Sequence, residues 1–173
     1  GLAKNTLRLV NLLQLRHPLS VDQWIERTGS KCELIVVRLL GGESYWPYGL
    51  EALHAAAVAR GIRLAVLPGD DRPDPALTRY CTLPPEQVLL LWRYLVEGGQ
   101  TNAEGFLRQT LHILEESDAP VEPTPLLKAG VFGGLDTVKS GWVKGQPLAA
   151  IIFYRALVQS GQTAPVTALC EAI

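Results

Sequence analysis

The chain has 173 residues, 47% of them hydrophobic and 19% charged, with 16 Lys plus Arg against 17 Asp plus Glu for a net charge of -1. That length buries the core of one ordinary domain and the beginning of another, and this apolar content excludes a disordered chain. The balanced charge excludes a global field that would draw the chain onto nucleic acid or an anionic membrane, and the longest apolar runs fall far short of the roughly 20 residues that span a bilayer.

Residues 6–15 are dense in leucine and read as a buried strand. Pro18 follows, and Ser20-Val21-Asp22-Gln23 matches a capping box, so a helix is expected from there to Gly29. Residues 33–39 are built around the apolar run Leu34-Ile35-Val36-Val37, with β-branched residues at its centre, as suits a parallel strand covered on both faces. After Gly41-Gly42 and an aromatic loop, Leu50, Leu53, Ala57 and Val58 recur at helical spacing, and Arg60-Gly61 closes the helix. Residues 62–67 read as the next strand, which completes a strand-helix-strand unit with a right-handed crossover.

Pro84-Pro85-Glu86 opens a helix that ends at Gly98-Gly99, and Thr101-Asn102-Ala103-Glu104 is a second capping box for a helix reaching about Glu116. Both helices are expected to cover the sheet. Residues 118–125 hold Pro120, Pro123 and Pro125, which lack amide donors and predict an extended connector. Residues 148–153 read as another buried strand, followed by a polar loop and a helix capped by Thr163 with Pro165 in its first turn. The expected architecture is α/β: a doubly wound, mostly parallel sheet of flavodoxin-like or Rossmann-like type over residues 1–120. A connector over 121–147 and the start of a second α/β unit over 148–173 complete the reading.

The chain contains no methionine, and its last helix stops without a glycine or asparagine terminator, which together read as a segment cut from a longer protein. The first residues carry no secretory signal, so a cytoplasmic location is expected. Cys32, Cys81 and Cys170 are widely spaced, with no C-x-x-C pair, and read as reduced thiols.

The loop Leu40-Gly41-Gly42-Glu43-Ser44-Tyr45-Trp46-Pro47-Tyr48 follows a parallel strand at its carboxyl end, where open α/β sheets place ligand sites. Tyr45, Trp46 and Tyr48 offer wide faces for a planar ring; the same aromatics also suit a plug in the sheet edge or a domain interface. Nucleotide binding is disfavoured, because neither G-x-G-x-x-G nor G-x-x-x-x-G-K-[ST] occurs. Glu51 and His54 share a helix face but lack the further ligands of a metal site, so no metal is expected. Asp70, Asp71 and Asp74 form a solvated, proline-spaced turn, with a cation position or general-base work as the alternatives. His17 stands at a strand exit, Arg38 leads into the aromatic loop, and Tyr154-Arg155 follows the last expected strand. Arg155 suits either a forked contact with a ligand or a pairing between structural units. The candidate ligand contacts are therefore His17, Arg38, Tyr45, Trp46, Tyr48, Tyr154 and Arg155, with the catalytic residues unassigned.

Several blocks carry a family resemblance when taken together. They are Leu15-Arg16-His17-Pro18-Leu19-Ser20-Val21-Asp22, Ile35-Val36-Val37-Arg38-Leu39-Leu40-Gly41-Gly42 and Tyr45-Trp46-Pro47-Tyr48-Gly49. Leu64-Ala65-Val66-Leu67-Pro68-Gly69-Asp70-Asp71, Tyr94-Leu95-Val96-Glu97-Gly98-Gly99, Phe153-Tyr154-Arg155-Ala156-Leu157 and Ser160-Gly161-Gln162-Thr163-Ala164-Pro165-Val166 extend it. In combination they resemble the amino-terminal part of the CobN family, the large subunits of aerobic cobaltochelatase. The resemblance implies ATP-dependent insertion of cobalt into hydrogenobyrinic acid a,c-diamide, a tetrapyrrole, by a complex whose other subunits are AAA+ motors. Cobalt and ATP with Mg are then used by the whole complex, no cofactor is expected on this chain, and the chain alone is expected to be inactive. Magnesium insertion into a porphyrin, as in the related H subunit of magnesium chelatase, is the alternative within the same chemistry. A non-catalytic small-ligand module and a head domain that docks the motor are the alternatives outside it.

Overall fold

Two short parallel strands organise the chain, and the apolar residues on each alternate between two buried faces. The structure, a computed structural model, describes residues 7–114, 121–134, 136 and 143–173. Strand β1 (Leu34–Leu39) pairs in parallel with β2 (Arg63–Pro68), Leu34 opposite Arg63 and Leu39 opposite Pro68. Between them runs α2 (Pro47–Arg60), ended by Gly61 at φ 69 and ψ 26, the left-handed geometry that glycine adopts without a side-chain clash. The strand-helix-strand unit expected from the sequence is present.

Ile35, Val37, Leu39, Leu64 and Val66 share a core with Val21 of α1 (Pro18–Arg27) and with Leu50, Leu53 and Ala57 of α2. On the opposite face, Ala65 and Leu67 meet Leu91 of α4 (Pro85–Glu97) and Ile113 of α5 (Gly99–Ile113). The short α3 (Pro75–Thr78) precedes α4, and its Leu77 is buried in the first core. Helices therefore cover both faces, as the continuous apolar strands require, and each fully buried leucine or valine contributes on the order of 1.5–3 kcal/mol relative to exposure.

Several elements depart from the sequence-based expectation. Residue 6 lies outside the described residues; 7–11 have no regular structure, and Leu12–Leu15 form a 3-10 turn instead of a strand. Asn11 accounts for the turn, because its side chain accepts a hydrogen bond from the Leu13 amide and offers the backbone a local partner. Helix α1 begins at Pro18, not Ser20: His17 is the cap, and proline in the first turn is pre-set for helical φ. Likewise α5 begins at Gly99, placing Thr101 and Glu104 inside the helix. It ends at Ile113, and residues 115–120 are outside the described set.

Residues 148–153 form no strand, and Ile152 is 95% exposed. An apolar run becomes a strand only when a neighbour supplies the ladder, and no described residue pairs with this one. Among the described residues the sheet has two strands, fewer than the sequence pattern suggested. Two later helices follow, α6 (Arg155–Gln159) and α7 (Ala164–Ala172). Pro165 lies in the first turn of α7 as expected, but the Thr163 side chain makes no capping bond.

The first residues of the expected connector, 121–127, are irregular and are held by side chains from α4 and α5. Asn102, almost fully buried, donates to Gly98 O at 2.7 Å and Thr124 O at 2.9 Å and accepts from Thr124 N at 2.9 Å. The Tyr94 hydroxyl donates to Val121 O, and Arg93 pairs with Glu122 at 2.7 Å. Among the described residues no helix is long and apolar enough to cross a membrane.

The outer edge of β2 is sealed by two side chains. Cys81 Sγ accepts from Val66 N at 3.2 Å; Thr82 Oγ1 accepts from Leu64 N at 2.7 Å and donates to Ile62 O at 2.9 Å. Burial pushes the Cys81 thiol above its ordinary pKa, and Cys32 is raised for the same reason, whereas Cys170 is exposed. Reactivity follows thiolate fraction and access. A thiol-reactive label at neutral pH is expected to modify Cys170 first and Cys81 last, read by peptide mass spectrometry, with Cys81 labelling appearing only as denaturant opens the edge.

Candidate functional site

The carboxyl ends of β1 and β2 carry the loops that hold the sequence-nominated aromatics. Gly41 and Gly42 sit at φ 98 and φ 69, so the chain turns sharply after Leu39 into a 3-10 turn, Glu43–Tyr45. Trp46 then points inward. Its side chain is only 5% exposed, and its Nε1 donates to Leu15 O at 2.8 Å within the core. Gly49 makes room for it, because a Cβ there would stand 1.9 Å from the indole. Trp46, nominated as a ring-stacking contact, is instead an internal staple: its faces are consumed by packing and its one donor is satisfied.

Tyr45 and Tyr48 remain about half exposed. The Tyr48 hydroxyl donates to Asp22 Oδ1 at 2.8 Å, joining the first turn of α2 to α1, and this bond is the main cause of its raised pKa. His17 is committed locally, its Nδ1 accepting from Leu19 N at 3.3 Å as the cap of α1. Arg38 is exposed at the end of β1, with Nη2 donating to Gly69 O at 3.0 Å. Arg38 and Tyr45 face a groove of about 370 Å³ whose other walls include Val10, Asn11, Leu13 and Leu40. Arg38 also borders a second groove, of about 300 Å³, with Gly98, Gln159 and Gly161.

Tyr154 and Arg155 line neither groove. Tyr154 is 86% exposed. Arg155 takes the structural option: Nε donates to Leu127 O at 3.1 Å and Nη2 to Leu126 O at 3.1 Å, with Glu97 Oε2 at 3.4 Å. Because Glu97 also accepts from Leu126 N at 2.8 Å, this half-buried cluster fastens α6 and the connector to the end of α4.

Sequence reasoning missed a polar cluster beside the aromatic loop. Arg79 pairs with Glu43 and donates to the Tyr80 hydroxyl at 2.8 Å, while that hydroxyl donates to Glu43 Oε1 at 3.1 Å. The Arg79 guanidinium lies 4.8 Å from the Tyr80 ring centre, and His54 Nδ1 lies 3.0 Å from Tyr80 O. This network holds the turn that carries Tyr45, and no local motif could reveal it, because Glu43 and Arg79 stand 36 positions apart. Among the described residues no group of His, Cys, Asp or Glu is arranged to hold a metal ion. Asp74 caps α3 through Ala76 N, and Asp70 accepts from Arg72 N, so these acids act in turns.

Comparison with known proteins decides the family. Over 183 aligned residues the chain is 46% identical to the aerobic cobaltochelatase subunit CobN of Sinorhizobium sp, covering 97% of this chain. The chain belongs to the CobN family. The CobN subunit of Pseudomonas aeruginosa is 38% identical over 173 residues, covering 96% of the chain. In both cases the chain spans 14% of the relative's length. No protein-family model matches. Among solved structures, the catalytic subunit of cobaltochelatase from Mycobacterium tuberculosis superposes with a TM-score of 0.62 over 95% of this chain and 12% of that one. At 22% identity this likeness speaks to the fold.

The placement of Trp46 gives a direct test. Trp46→Ala removes a buried indole and leaves Leu15 O without its partner, an expected loss of about 3–5 kcal/mol in denaturant unfolding. Tyr45→Ala, at a half-exposed position, is expected to change stability by less than about 1 kcal/mol in the same measurement.

Proposed function

We propose that this CobN-family chain is a ring-contacting part of a cobaltochelatase large subunit, which holds hydrogenobyrinic acid a,c-diamide while cobalt is inserted in the cytoplasm. ATP and Mg enter through AAA+ partner subunits. The observation that carries the reading is the 46% identity to a CobN subunit along 97% of the chain. The names of both relatives favour cobalt over magnesium as the inserted metal.

Metal insertion requires a ring that is held, loses protons from its pyrrolic nitrogens and displaces water from the metal. What this chain offers is holding. Arg38 presents a fixed guanidinium at the carboxyl edge of the sheet, one of its donors already anchored on Gly69 O and the remainder facing the grooves. A planar fork of this kind suits a peripheral carboxylate of the ring, with Leu13, Leu40 and the Tyr45 face against its apolar body. Pyrrolic proton transfer and energy coupling are assigned to the rest of the subunit and to its partners, consistent with the absence of a nucleotide-binding glycine motif in the sequence.

The reading is tested by reconstitution. The subunit that carries this chain, mixed with its AAA+ partners, cobalt(II), ATP and the diamide, is expected to show ATP-dependent metal insertion as a change in ring absorbance. Insertion of magnesium into a porphyrin in place of cobalt, or no insertion of either, would overturn it. In the same assay Arg38→Gln is expected to raise KM for the ring about tenfold with a smaller change in kcat, as fits loss of one charged hydrogen bond.

A further inference from the structure

The two edges of the sheet are treated differently. Arg63 N donates to Glu33 O at 3.0 Å and Gly69 N to Leu39 O at 2.8 Å, which fixes the alternation along β1: Ile35, Val37 and Leu39 bond towards β2. The backbone groups of Leu34, Val36 and Arg38 therefore face the other way, and no described residue bonds to them. While Cys81 and Thr82 seal β2, β1 presents a parallel edge that no described residue pairs with, which is a template for another strand.

The helices say which strand belongs there. Both α1 and α2 lie on one face, with Val21, Leu50, Leu53 and Ala57 in a single core. In right-handed crossovers, two successive helices on one face place their strands in steady progression across the sheet. The chain entering α1 is then positioned on the outer side of β1, away from β2. Val10, Asn11 and Leu13 already line the larger groove with Arg38, Leu39 and Leu40, so the segment ends beside the carboxyl end of β1, where a parallel strand over residues 7–10 would finish. Its sequence, Leu7-Arg8-Leu9-Val10, puts two leucines on one pleat face, yet Leu9 is 88% exposed.

We propose that residues 7–10 are an edge-closing strap, which adds to the outer edge of β1 as a third parallel strand and thereby moves the groove wall that carries Val10 and Leu13. Closure gives the Val36 and Arg38 backbones partners that no described residue supplies now, and turns Leu7 and Leu9 onto the sheet. The strap rests on backbone geometry, so it holds or fails separately from the ring-binding reading.

Residue-resolved hydrogen exchange on the intact subunit decides it. The Val36 and Arg38 amides are expected to exchange at least about tenfold more slowly than those of exposed loops, at every protein concentration. Leu9→Pro removes a ladder donor and is expected to return these two amides to loop-like exchange while Ile35 and Val37 keep their protection. Should that proline weaken the whole sheet, Leu9→Asp keeps the donor and charges the face the strap buries; it must release Val36 and Arg38 with Ile35 and Val37 unchanged, or the proposal fails. Loop-like exchange at Val36 and Arg38 in the unsubstituted protein overturns it. Protection that disappears on dilution also overturns it, by naming a second copy of the chain as the occupant.

Discussion

Everything in this chain hangs on the parallel pairing of β1 with β2. Parallel strands cannot be joined by a tight turn, so the chain must cross over through α2, and that crossover buries one face of the sheet. The strands are apolar on the other face as well, which obliges α4 and α5 to cover it. With both faces occupied, the carboxyl ends of the strands are where two loops meet: the aromatic loop after β1 and the acidic turn after β2. Arg38 links them through its bond to Gly69 O.

The aromatic loop divides its labour. Trp46 turns inward and joins the loop to Leu15 and the entrance of α1, which makes it part of the scaffold. Tyr48 ties α2 to α1 from outside through Asp22. Glu43, Arg79 and Tyr80 brace the remaining turn, and Tyr45 is left half exposed beside Arg38. This braced loop, with one half-exposed aromatic face and one cation at a groove, is the geometry on which the proposed ring contact rests.

The connector is not a free tether over residues 121–127. Asn102, Glu97, Tyr94 and Arg155 each satisfy backbone groups in it that would otherwise need water. The same contacts dock α6 against the end of α4, where Gln159 donates to Val96 O. One helix end thus fixes both the exit from the first core and the approach of the later helices.

The sequence by itself determined the strand-helix-strand unit, the two covering helices and the family, because these rest on local periodicity, terminators such as Gly61 and blocks of contiguous residues. Tertiary structure alone decided which of the nominated side chains face the groove. Tyr45 and Trp46 are neighbours of like chemistry, and only the space above Gly49 sends the indole into the core. Arg38 and Arg155 both follow apolar runs, and only Glu97 and the Leu126 and Leu127 carbonyls claim the second. Residues 148–153 carry a strand-like pattern, yet a strand exists only where a neighbour supplies its ladder, and that neighbour is a property of the fold, not of the segment.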